Sequence, residues 1–96
     1  MREQTFELCG EIDLASREEL VRRLDVMVRF SGDDLAIDCR GLTFMDSSGV
    51  AALVEAQNRL GDQGRRLRLL HLGGSPRLVI DTLGLAAFFS LDPGPT

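Results

Sequence analysis

The sequence predicts an α/β domain in which a mostly parallel or mixed sheet of about four strands carries helices packed against it. Strand-like and helix-like stretches alternate along the chain, as they do where each strand is followed by a covering helix. Leu35-Ala36-Ile37-Asp38-Cys39 opens on consecutive apolar residues, the mark of a strand covered on both faces. The helix-like stretches also carry start and stop residues at both ends. A chain of 96 residues makes one domain, 1–96, with an ordered core expected over residues 5–91 and a frayed tail over 92–96.

Thr5-Phe6-Glu7-Leu8-Cys9 alternates weakly, as a half-buried strand does, and Gly10-Glu11-Ile12-Asp13 then turns the chain. Ser16 stands three residues before Glu19, a capping box that opens a helix. Leu20, Val21, Leu24, Met27 and Val28 recur at helical spacing as its inner face, and Ser31-Gly32-Asp33-Asp34 stops it. After the strand Leu35–Cys39, where Asp38 is a plain strand-end residue or an added charge, comes the loop Arg40–Met45.

A second helix follows, capped by Asp46 or Ser47 and ending near Leu60-Gly61, with Val50, Leu53, Val54 and Leu60 inward. Arg65–Leu72 reads as a strand with a solvated arginine entrance. Ser75 and Pro76 suit the N-cap and first position of a third helix, with Leu78, Val79, Ile80 and Leu83 as its buried face and Gly84 as its end. Ala87–Leu91 reads as a last short strand.

Composition narrows the function. Fifteen acidic against eleven basic residues leave a net charge of −4, which repels nucleic acid and anionic membrane surfaces, so a protein partner is expected. No apolar run approaches the roughly 20 residues that span a bilayer, and the cytoplasm is the expected location. Cys9 and Cys39 lack the spacing of a zinc or redox motif and read as buried, reduced thiols. His71, the one histidine, sits in an apolar run and reads as structural. No metal or cofactor is expected.

The stretch that carries function is Asp46-Ser47-Ser48-Gly49. Short polar side chains suit a helix start, where amides lack partners, and the same free amides tolerate a phosphate. Alone, the tetrapeptide reads first as a cap. In its setting, after a strand and a loop, before an amphipathic helix and downstream of Gly10-Glu11-Ile12-Asp13, it resembles the STAS domain family and within it the bacterial anti-sigma factor antagonists. Leu83-Gly84-Leu85 adds weaker support. The likeness runs from about Thr5 to Leu91.

The resemblance implies partner switching. The unphosphorylated antagonist binds an anti-sigma factor with serine kinase activity and frees a sigma factor, phosphorylation blocks that binding, and a phosphoserine phosphatase restores it. By motif, Ser47 is the phosphorylated residue, and Asp13, Asp46, Ser47, Ser48 and Gly49 form the partner-binding loops, with no catalytic residue. Family members usually carry an additional strand before the one leading into Gly10 and a further helix at the end, so a sheet edge here is open to pairing into a homodimer. Two other readings stand beside this one. The first is a STAS scaffold or transport-associated interaction domain in which the motif only caps a helix. The second is a small hydrolase with Ser47 as nucleophile, His71 as base and Asp38 or Asp13 as orienter.

Overall fold

A computed structural model describes residues 3–30 and 32–91. The elements run β1 (Glu3–Glu7), β2 (Gly10–Ile12), α1 (Arg17–Phe30), β3 (Asp34–Asp38), β4 (Leu42–Met45), α2 (Ser47–Asp62), β5 (Leu67–Leu70) and α3 (Gly74–Thr82). Every strand pairing is parallel, and the strands divide into a three-stranded sheet, β1-β3-β5, and a two-stranded one, β2-β4. The α/β class is as the alternation predicts.

The middle strand β3 is the continuous apolar stretch, and Leu35, Ala36 and Ile37 are all buried. Leu20, Leu24 and Val28 of α1 and Val50, Leu53, Ala56 and Leu60 of α2 close over the sheet with Leu67 and Leu69 of β5. On one face of the sheet, Arg68 reaches past β3 to grip Glu3 with two hydrogen bonds of 2.8 Å. These bonds hold the Glu3 carboxyl below the usual carboxylate range.

Several local expectations are corrected. The first strand is Glu3–Glu7 and not Thr5–Cys9, and the turn at Gly10–Asp13 contains a strand, β2. The loop Arg40–Met45 likewise contains β4. Neither three- nor four-residue strand is long enough to show alternation in sequence, and each exists through its pairing with the other. Ser16 does not build the capping box: its hydroxyl accepts from Asp13 N at 2.9 Å and donates to Asp13 Oδ1 at 3.1 Å.

Arg65 is no solvated entrance. Its guanidinium donates to the carbonyls of Met27, Val28 and Asp33 at 3.3, 2.9 and 2.9 Å. It thereby satisfies acceptors at the end of α1 that have no helical partner. The N-cap of α3 is Gly73, two residues before the expected Ser75, and Pro76 and Ile80 are buried while Leu78 and Leu83 are exposed. Ala87–Leu91 forms turns rather than a strand, with Phe89 completely buried. The expected tail, 92–96, lies outside the described residues.

The two cysteines differ, and Cys9 is exposed rather than buried. Burial, with help from the Asp38 charge, pushes the Cys39 thiol up to about 12. Iodoacetamide is therefore expected to label the native protein at Cys9 alone, as read by mass spectrometry. Because the folded value lies above the unfolded one, stability from the protonated Cys39 is fully present below about pH 8 and is lost as pH rises from about 9 toward 12. The loss is up to about 1.4 kcal/mol per pH unit in that window. Denaturant titrations at stepped alkaline pH would show it, and a Cys39→Ala protein without that slope would confirm the source.

Candidate functional site

Pairing of β2 with β4 positions the site. Ile12 stands opposite Met45, and Asp46 N extends the ladder by donating to Ile12 O at 3.1 Å. Asp13 and Asp46 thus leave the sheet from adjacent strand ends. They lie thirty-three residues apart in the chain, and the short strand pair is what joins them.

Asp46 is the N-cap of α2. Its backbone is extended, at φ −95° and ψ −176°, and its Oδ1 accepts from Ser48 N at 2.9 Å and Gly49 N at 3.3 Å. One carboxylate thus does the capping, and Ser47, the first residue of the helix, is not needed for it. Ser47 is exposed, and no hydrogen bond among the described residues engages its hydroxyl. Ser48 is half-buried. Gly49 is buried where a side chain has no room: a Cβ there would lie 2.7 Å from Ile12 Cγ2 and 2.7 Å from Met45 Cγ. The helix therefore starts hard against the β2-β4 pair, which fixes the height of Ser47 above the sheet.

Asp13 closes its own turn. Its Oδ1 accepts from Ser16 N at 3.1 Å and from the Ser16 hydroxyl at 3.1 Å. The Ser16 backbone and then its hydroxyl hold the Asp13 carboxyl below its ordinary range, so it stays ionised at neutral pH. The five residues singled out in sequence therefore meet in one place: Asp13 on the β2-α1 turn, and Asp46, Ser47, Ser48 and Gly49 where β4 enters α2.

Two residues were missed. Leu14, beside Asp13, is 74% exposed, and Phe44, opposite Glu11 in the strand pair, is 41% exposed. Large apolar side chains left in water next to a polar loop are a signal of contact with another molecule, but in sequence they are indistinguishable from core residues. His71 lies elsewhere, past the end of β5, with a left-handed backbone at φ 56° and an exposed side chain. No hydrogen bond among the described residues joins it to Ser47, so the geometry offers no serine-histidine pair. No cluster of three metal-ligating side chains occurs among the described residues. Among those residues no helix is long and apolar enough to cross a membrane.

A family model for the STAS domain matches residues 3–95. Among solved structures, an anti-sigma factor antagonist from Mycobacterium paratuberculosis is similar at a TM-score of 0.84 and 26% identity, over 96% of this chain and 78% of that one. The anti-sigma factor antagonist SpoIIAA in its unphosphorylated form gives a TM-score of 0.78 at 24% identity, over 88% of this chain and 75% of that one. The murine Solute Carrier 26 family member A9 anion transporter shares the fold at 0.75 and 18% identity, with 88% of this chain matching 14% of the transporter. No curated protein matches the sequence. The parallel α/β architecture and the match over nearly the whole sequence make the chain a member of the STAS domain family.

Proposed function

We propose that the chain is an anti-sigma factor antagonist acting in the cytoplasm. Unphosphorylated, it binds an anti-sigma factor that is also a serine kinase and so frees a sigma factor. Phosphorylation at Ser47 blocks the binding, and a phosphoserine phosphatase restores it. The observation that carries this reading is the exposed Ser47 hydroxyl at the N-terminus of α2, uncommitted among the described residues, beside the adjoining strand ends that carry Asp13 and Asp46. Similarity to two antagonists of known structure supports it.

The physics of the switch is local. A phosphate on Ser47 brings nearly two negative charges to a loop that already holds two carboxylates, so a partner packed there would face repulsion and the cost of stripping water from the phosphate. The positive end of the α2 dipole favours the same negative charge, so the domain stays folded while its surface changes. Leu14, next to Asp13, and Phe44, in β4 just before Asp46, offer exposed apolar surface for the partner. Binding of this kind needs no catalytic residue, cofactor or metal.

Ser47→Asp is expected to weaken capture of the anti-sigma factor by about 100-fold or more, equivalent to about 2.7 kcal/mol. Ser47→Ala should retain binding and resist phosphorylation. Isothermal titration against the kinase recovered with the Ser47→Ala protein measures both, and equal affinities for the two variants would refute the proposal. Mass spectrometry of the tryptic peptide ending at Arg59, from cells under several growth conditions, tests the modification itself. A fully covered peptide that never carries phosphate would favour the scaffold or transport-associated reading, in which Asp46-Ser47-Ser48-Gly49 is a helix cap and nothing more.

A further inference from the structure

The two edges of the main sheet are treated differently. On β5, the Gln57 side chain imitates a neighbouring strand: its Oε1 accepts from Leu67 N at 2.8 Å and its Nε2 donates to Leu67 O at 3.1 Å. On β1, the register with β3 and the bond from Leu8 N to Asp38 O turn the backbone groups of even-numbered residues inward. The N–H and C=O groups of Glu3, Thr5 and Glu7 therefore point outward. Arg23 occupies one of these, donating from Nη2 to Glu7 O at 3.1 Å while its guanidinium lies 4.8 Å from the Phe6 ring centre. Among the described residues, nothing pairs with the outward backbone groups of Glu3 and Thr5.

That open stretch lies beside an apolar flank. Phe6, Val26 and Met27 line a shallow groove of about 290 Å³ with Arg23. Val26 is 53% exposed, and Phe30, one helical turn further along α1, is 82% exposed. An unpaired strand edge and a large exposed aromatic on the same border of a small domain together describe a pairing surface.

We propose that this border joins two copies of the chain, with β1 pairing antiparallel to β1 of the second copy around Gln4 and the two α1 helices meeting through Val26 and Phe30. The register follows from charge and from Arg23. Centring the pair on Thr5 would set Glu3 opposite Glu7 of the second copy, two like charges face to face. Centring it on Gln4 sets Glu3 opposite Thr5 in both halves and leaves the Arg23 bond to Glu7 undisturbed. Glu3 is already neutralised by Arg68 within its own chain, so the edges meet without a net repulsive pair. Both halves of the contact are supplied by one sequence, as a two-fold interface requires. Phe30 ends α1 about 20 Å along the helix from the Asp13 turn, so the pairing leaves Ser47 accessible.

Sedimentation equilibrium across micromolar to millimolar concentrations is expected to show association to twice the 10.5 kDa of the chain. Thr5→Pro removes an outward donor and none of the bonds to β3, and Phe30→Glu places a charge on a side chain already in water. Each is expected to leave the protein monomeric with an unchanged circular dichroism spectrum. If Thr5→Pro perturbs the fold, Phe30→Glu alone decides the matter. A wild-type protein that stays monomeric throughout, or a dimer that survives Phe30→Glu, overturns the proposal.

Discussion

Gly49→Ala is expected to destabilise the domain by about 1–3 kcal/mol, although alanine normally stabilises a helix over glycine by about 1 kcal/mol. The sign reverses because of what the new methyl group meets. Ile12 Cγ2 and Met45 Cγ both lie 2.7 Å from its position, and Met45 Sδ lies at 3.2 Å. Ile12 is branched at Cβ, which leaves its Cγ2 methyl little rotational freedom, and Met45 is fully buried, so neither can swing clear without shifting its strand. The first turn of α2 would have to lift from the β2-β4 pair, carrying Ser47 with it.

Gly61, in the same helix, is the control. A Cβ there meets nothing within 4 Å, and Gly61→Ala should stabilise by about 0.4–1 kcal/mol. Urea titrations of the two variants side by side would test the pair. Equal effects of the same sign would mean that the close approach at Gly49 does not govern the start of α2.

Phe89→Ala is expected to cost about 3–5 kcal/mol, the range for removing a fully buried aromatic ring. Phe89 has no exposed surface, while its neighbour Phe88 is 37% exposed and meets it edge to face with ring centres 5.1 Å apart. The segment around it has no strand or helix ladder of its own. Bonds such as Phe89 N to Leu85 O and Leu91 N to Ala86 O close its turns, and the Gln57 side chain ties Phe88 O to α2. With so few backbone restraints, the buried ring anchors the segment. Phe88→Ala should cost far less, and thermal melts of both variants would separate the two. Comparable losses would show that the anchor has been assigned to the wrong ring.

Much of this was legible in the sequence by itself. The apolar run at Leu35–Ile37, the helical spacing of Leu20, Leu24 and Val28, and the capping chemistry of Asp46 are local properties, and each was realised as an element in the expected place. The α/β class and the family follow from such local signals taken in order. Asp46, Ser47, Ser48 and Gly49 were named for the same reason, since a motif is a statement about near neighbours in the chain, and the family resemblance added Asp13.

Only the tertiary structure decided the rest. β2 and β4 are too short to carry a periodic signal and hold together through each other, so the strand pair could not be read in advance; only the family resemblance, and no local signal, grouped Asp13 with Asp46. Arg65 reached the end of α1 because carbonyls distant in sequence came within hydrogen-bonding range. Which leucines and phenylalanines were buried depended on which faces found cover: Phe89 did, while Leu14 and Phe30 did not. Local chemistry determines what an element is, and long-range packing determines which of its faces remains free to bind.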